Sequence, residues 1–428
     1  MNTSPDSRPG CPVSGGSSAA SATWDRFLDH ENRHDPYPLY ARLRDAAPVQ
    51  RLDDGAFLIT GYDEILQVVH DPRISSDPLA GRDDVGDAGP GLTAAFVMQD
   101  PPAHDRLRRQ TMRHFGPPHH AGYIDSLRTD ITRTASALIN GFPASGTVDL
   151  VEAFAYPLPV MMICDVLGVP HEDEPRFHAW SMAIIAPPEA TTPEEAEALR
   201  EEASTATREL GAYLAHLAEV RRGTPQGDLL SGLVNDHGTE GLMSTSEIIS
   251  TTIMLLIGGH ETTVNMIANG ALTLLRHPEE LDRLRADPST MPRVFEELLR
   301  LEPPAQVTPK YVALQDVRVG DVTITKGSPV WIAWAAANRD PRHFADPDRF
   351  DPLRENRDHL GFGAGIHACF GAPLARLESQ IALAELFIRL EDVRLVEDPP
   401  PYRRNPLLRG PSRLDITFGR VLPATTVS

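Results

Sequence analysis

Apolar residues recur at helical spacing through most of the chain after Trp24, and alternate with polar ones only in short, scattered runs. Asp63 to His70 reads as an amphipathic helix capped by Asp63, and Ser126–Asn140 carries apolar residues on one helical face. Ala196–Arg222 predicts a long, charged, Ala-rich helix, Ser246–Arg276 a long and largely apolar one, and Ala372–Arg389 another. Strands are expected at Val49–Leu52 and Ala56–Ile59, flanking the turn Asp53-Asp54-Gly55, then at Val317–Val319, Val322–Ile324 and Pro329–Ile332. A last pair falls near Val393–Val396 and Leu414–Phe418. The pattern is mainly α with small, separated β-sheets, not a doubly wound α/β fold. There is no repeat at solenoid spacing and no Gly-rich phosphate loop behind a strand. Residues 1–22, mostly Ser, Gly, Pro and Ala, read as a disordered leader, and 23–428 as a single domain.

Composition narrows the partners. The 428 residues are 41% hydrophobic and 23% charged, which is ordinary for a globular chain. Forty basic residues against sixty acidic ones leave a net charge of −20, which repels nucleic acid and anionic membranes. No stretch approaches the ~18 apolar residues of a membrane helix, so no membrane partner is expected. The N-terminus lacks the basic-then-apolar order of a secretory signal. Three cysteines, Cys11, Cys164 and Cys369, are too few and too scattered for a disulfide framework, which fits a reducing cytoplasm.

The densest chemistry lies in Leu360–Glu378, LGFGAGIHACFGAPLARLE. Gly361, Gly363, Gly365 and Gly371 frame Cys369, which stands just before a helix. Closely approaching amides and the helix N-terminus both favour a thiolate, so Cys369 reads as a metal ligand rather than an inert buried thiol. A hydrolase dyad with His367 is disfavoured because the two residues are too close in sequence to converge. A second cluster, Gly258-Gly259-His260-Glu261-Thr262-Thr263, interrupts the long apolar helix. Two helical glycines cost about 1 kcal/mol each, so the site is either a packing notch, with its hydroxyls bonded back to carbonyls, or an opening with a proton route. A zinc site is excluded, since the position expected to carry the second His is Val264. Glu297 and Arg300 share a helical face and can pair. His104 and Arg108, four apart, either grip one anion or lie on a solvated basic helix. His114, His119 and His120 surround a Pro-rich turn and read as exposed rather than metal-binding.

Phe362-x-x-Gly365-x-His367-x-Cys369-x-Gly371 resembles the haem-binding loop of the cytochrome P450 family, the haem-thiolate monooxygenases. Three further motifs follow in the family's order, and the resemblance spans about residues 24–420. Phe370 departs from it, being bulkier than the aliphatic residue common there. The resemblance implies a cytochrome P450 fold in which one domain binds haem b between Cys369, the axial iron ligand, and the Gly258–Thr263 segment. Glu261 and Thr262 become the acid–alcohol pair that guides protons during O2 activation, while the thiolate donates electron density to iron. His104, Arg108 and His367 become propionate contacts. Where the family usually has an arginine, this chain offers Tyr311, with Lys310 one residue earlier as the alternative contact. Glu297, Arg300 and Arg349 form a structural triad. The resemblance places Phe96, Val97, Met254, Ile257, Gly258, Val307, Thr308 and Leu407 around an apolar substrate, a polyketide, terpenoid, steroid or fatty-acid-like secondary metabolite. The 175–205 segment, with Pro187 and Pro188, becomes part of a lid. Electrons are expected from NAD(P)H through a reductase and a ferredoxin or flavodoxin, with Arg106, Arg109, Arg113 and Arg376 steering that donor to a monomeric enzyme. Two other readings stand beside this one: a haem-thiolate enzyme that uses peroxide or rearranges an oxygenated substrate, and a non-catalytic haem sensor.

Overall fold

The computed structural model describes residues 18–77, 80, 94–116, 120, 122–185, 192–238 and 241–424. Helices come first: α1 (Ala19–Leu28), α2 (Tyr37–Ala46), α3 (Tyr62–Val69), α4 (Ala103–Phe115), α5 (Tyr123–Ser126), α6 (Arg128–Asn140) and α7 (Pro157–Leu167). Next are α8 (Glu174–Ile185), α9 (Pro193–Gly223), α10 (Leu229–Val234), α11 (Thr245–Arg276), α12 (Pro278–Ala286) and α13 (Met291–Leu301). Two more, α14 (Trp334–Ala337) and α15 (Ala372–Arg389), complete the set. The strands are β1 (Val49–Arg51), β2 (Phe57–Ile59), β3 (Ile74–Ser75), β4 (Gly146–Asp149), β5 (Thr308–Ala313) and β6 (Val317–Val319). They continue with β7 (Val322–Ile324), β8 (Pro329–Ile332), β9 (Leu390–Glu391), β10 (Arg394–Leu395), β11 (Asp415–Phe418) and β12 (Arg420–Val421).

Local signals explain several boundaries. Ser244 closes a capping box with Glu247: the Ser244 hydroxyl accepts from the Glu247 amide at 3.2 Å, and the Glu247 carboxylate accepts from the Ser244 amide at 2.7 Å. That box fixes the start of the 32-residue α11. Gly168, left-handed at φ +77°, ends α7. Two expectations shift. Gly61, not Asp63, occupies the N-cap of α3, and Asp63 sits in its first turn. Residues 18–22, expected to be disordered, are ordered instead: Ser18 caps α1 and residues 19–22 are helical; residues 1–17, Cys11 among them, lie outside the described residues.

The largest sheet has strand order β1-β2-β8-β5-β3, with β2 and β8 parallel and the other neighbours antiparallel. Its register slips between Thr308 and Tyr311 on β5. A bulge there reverses the usual alternation, so two residues three apart face the same side. The main core surrounds α11, which is buried along most of its length, with α7, α13 and α15 packed on it. One smaller core lies under the sheet, and another joins α1 and α2 to Val307, Ala333, Ala335 and Ala336. Among the described residues no helix is long and apolar enough to cross a membrane.

Candidate functional site

The loop before α15 is built around its own backbone. The Leu360 amide donates to the Asn338 side chain at 2.6 Å, and the Cys369 amide donates to the Phe362 carbonyl at 2.8 Å. Gly363 and Gly365 have φ of +69° and +70°. A Cβ on Gly365 would lie 2.5 Å from the Val69 carbonyl oxygen, so both conformation and space require glycine there. Gly371 differs, since a Cβ on it meets nothing within 4 Å. The Cys369 side chain lines a cavity and is exposed, although protein packs closely around it. Burial raises its pKa, while the amides of Gly371 and Ala372 and the charges of Arg108 and Arg376 pull it down.

Across the cavity runs α11. The cavity volume is about 730 Å³, and Met254, Ile257, Gly258 and Thr262 belong to the wall on this side. Thr262 donates its hydroxyl to the Gly258 carbonyl at 2.8 Å. Glu261 points elsewhere: it is absent from the cavity wall, buried, and ion-paired with Arg403 at 3.2 Å. Beside it His260 is also buried, its pKa lowered to about 4 by burial, then by His178 and Arg403, so its imidazole is neutral. No local pattern announces Arg403, which arrives from an irregular segment far along the chain.

The polar edge gathers at one end. His367 and Tyr311 line the cavity, and His104 stands behind His367 with ring centroids 4.6 Å apart. His104 Nδ1 is bonded to Asp105 at 2.8 Å, whereas its buried Nε2 has no protein partner. Arg108 donates to the Ala368 carbonyl at 2.8 Å, which ties α4 to the residue before Cys369. Burial lowers the Arg108 pKa, and the negative charge of Cys369 opposes this. Tyr311 is only 5% exposed. Its pKa is pushed up to about 12 by burial, so the phenol keeps its proton as a donor. The β5 bulge places Tyr311 and Thr308 together on the cavity wall. Lys310 belongs to β5, but its side chain lies outside the described residues. These groups fit an iron porphyrin: a thiol at one face, a helix with an open glycine at the other, and His and Tyr donors at one edge. An unpartnered buried imidazole nitrogen there asks for a ligand group.

Several expected contacts fall elsewhere. Phe96 does not line the cavity; it packs on Phe370 at 5.5 Å and on His104 at 6.2 Å. Phe370 also meets Phe115 at 4.8 Å and lies beneath the Arg108 guanidinium, so its extra bulk fills a pocket between α4 and the loop. Val307 and Leu407 pack with α1 and α2 instead of reaching the site. Val97, Met254, Ile257, Gly258 and Thr308 do line it. The triad is corrected at its third member. Arg349 is 65% exposed and pairs with Asp351, while Arg354 reaches Glu297 at 3.3 Å. Glu297 holds Arg300 through two bonds, of 2.7 and 2.8 Å, and Arg349 contributes only its carbonyl oxygen. Gly371, the N-cap of α15, and Leu374, Ala375 and Glu378 within it share one face and all line the cavity. Their i, i+3, i+4, i+7 spacing is the signal that could have found Glu378. His119, Pro187 and Pro188 lie outside the described residues; His120 is exposed as expected, whereas His114 is half-buried and faces Asp236 at 3.5 Å.

Comparison with known proteins places this geometry. The family model for cytochrome P450 matches residues 196–418. The chain is 37% identical to cytochrome P450 monooxygenase PikC of Streptomyces venezuelae, over 90% of this chain and 92% of that one. It is 37% identical to 6-deoxyerythronolide B hydroxylase of Saccharopolyspora erythraea, over 91% and 98%. The solved structure of cytochrome P450 PksS of the bacillaene polyketide synthase, from Bacillus subtilis 168, superposes with a TM-score of 0.84 at 32% identity, covering 92% of this chain and 99% of that one. Likeness of sequence and of shape, each over nine-tenths of the chain, establishes that this chain belongs to the cytochrome P450 family.

Proposed function

We propose that this cytochrome P450 monooxygenase inserts one oxygen atom of O2 into a large, mainly apolar secondary metabolite, of the polyketide, terpenoid or steroid class, held above Cys369. The observation that carries the reading is the cavity itself, which runs between a cysteine loop and α11 and is walled mainly by apolar side chains. The family supplies the haem iron and its use of O2. The hydroxylase of 6-deoxyerythronolide B and the bacillaene-pathway P450 among its relatives support a polyketide-like ligand.

An iron porphyrin bound there would supply reductive activation of O2, and Cys369 would be its protein ligand. His104, His367 and Tyr311 would hold its acidic edge. Thr262 bears the hydroxyl that can meet the reacting oxygen, and its bond to the Gly258 carbonyl must open or be shared for it to turn into the cavity. Glu261 stores its carboxylate behind α11 on Arg403, so a proton passing from it to Thr262 requires that pair to loosen. Apolar walls exclude bulk water from this route. A hydroxyl in this position supports use of O2 over peroxide.

Electrons come from NAD(P)H through a reductase and a ferredoxin or flavodoxin. The chain acts as a monomeric, single haem domain in the cytoplasm. A spectral titration of the haem-loaded enzyme with a natural-product panel tests the reading. Large apolar ligands are expected to displace water from iron and shift the Soret band. A panel in which only small polar compounds do so would overturn it.

A further inference from the structure

Hydroxyl side chains inside a helix usually bond back to the carbonyl four residues earlier. On α11 this holds for Thr252, Thr262 and Thr273, each at 2.8 Å, and for Thr263 at 3.3 Å. Ser250 breaks the pattern. Its Oγ is buried with no partner, the residue is 8% exposed, and it forms part of the cavity wall. Thr251 also lacks a partner but is not in that wall, so it bears on packing alone.

Ser250 shares a stripe of α11 with Met254 and Ile257, four and seven residues on, and Gly258 follows at eight. Eight residues at 1.5 Å each put Ser250 about 12 Å along the helix from Gly258, at the end of the cavity remote from the reacting centre. Ile253, Leu229 and Thr207 belong to the same cavity wall, and the Thr207 hydroxyl is already donated to Ala203 at 2.8 Å. An unmet buried hydroxyl is costly, and a ligand group can recover that cost. Resting on the function proposed above, we propose that Ser250 anchors the substrate, which is an elongated, mainly apolar molecule bearing a hydroxyl or carbonyl oxygen about 12 Å from the carbon oxidised. Because a serine hydroxyl both donates and accepts, either oxygen type satisfies it. The apolar wall binds the skeleton, and Ser250 sets which end faces the haem.

Matched probes separate these contributions. Spectral titrations of the haem-loaded enzyme with 1-dodecanol and with dodecane would be run on wild type, Ser250→Ala and Ser250→Thr, with the ferrous–CO spectrum reporting intact haem ligation. Ser250→Ala is expected to weaken 1-dodecanol about 2–10-fold, the worth of one neutral hydrogen bond, and to leave dodecane unchanged. Ser250→Thr, which retains a hydroxyl, is expected to keep most of the alcohol preference. Equal effects of Ser250→Ala on both probes, or no effect on the alcohol, would overturn the anchor while leaving the apolar-substrate reading intact. Failure of both probes to bind wild type would overturn the two together.

Discussion

Burial and hydrogen bonding act in opposite directions on Cys369. The protein around it raises the thiol pKa, and the amides of Gly371 and Ala372 with Arg108 and Arg376 offset part of that rise. Cys164 has only the first influence: burial, then Glu174 and Asp165, push its pKa up to about 12. Cys369→Ala should therefore abolish the red-shifted Soret band of the ferrous–CO complex, and Cys164→Ala should leave it. The reverse result would assign the iron to the wrong sulfur. At Tyr311 the prediction concerns grip. A protonated phenol at the cavity edge offers one neutral hydrogen bond, worth about 1 kcal/mol. Tyr311→Phe should speed haem transfer to apo-globin about 5-fold, that bond expressed as a rate, and an unchanged rate would remove Tyr311 from the haem contacts. Sequence alone identified the cavity-lining Tyr311 as a candidate but not the reason for its side: the bulge after Thr308 sets the phase, and no local pattern announces it.

Among the elements, the glycines divide by what surrounds them. Gly258 faces the cavity, and a Cβ there meets nothing within 4 Å. Gly258→Ala should stabilise α11 by about 0.5–1 kcal/mol yet weaken spectral binding of bulky ligands, because its methyl occupies their space. Gly365→Ala should instead destabilise the loop, since a positive φ and the Val69 carbonyl both oppose a side chain. Urea unfolding of the two variants checks the pair, and two shifts of the same sign would contradict it. Element boundaries were legible where periodicity was strong. Ser246–Arg276 is observed as Thr245–Arg276, and β6, β7 and β8 match their expected ends. The misses have a common physical origin. Arg349 and Arg354 lie five apart in irregular chain, where no period selects the one that turns inward. Phe96, Val307 and Leu407 are apolar, and an apolar residue suits a cavity wall and a packed core equally well.

Across the whole molecule, charge is arranged more evenly than the arginine-rich stretches imply. Arg106 pairs with Glu247, Arg113 with Asp236 at 3.0 Å and Arg376 with Glu296 at 2.7 Å, so much of the positive field expected to steer an electron donor is already met by carboxylates. Glu378 is a buried acid without such a pairing. Glu378 on α15 is 2% exposed, lines the cavity, and has a carboxylate oxygen with no partner. Burial raises its pKa from 4.5 to about 8, so the folded chain keeps a proton that the unfolded chain releases. Between those two values the native state binds more protons than the unfolded state, and stability must fall as pH rises. Below about 4.5 the residue is protonated in both states and contributes no slope. Above about 8 the buried carboxylate is charged and the penalty, on the order of a few kcal/mol, is complete. Glu378→Gln removes the charge while keeping the shape. Urea midpoints of the two proteins should therefore be close at pH 4 and separate in favour of the variant by pH 9. A wild type that loses no more stability than Glu378→Gln across that range would mean that Glu378 is not buried without a partner in the folded enzyme.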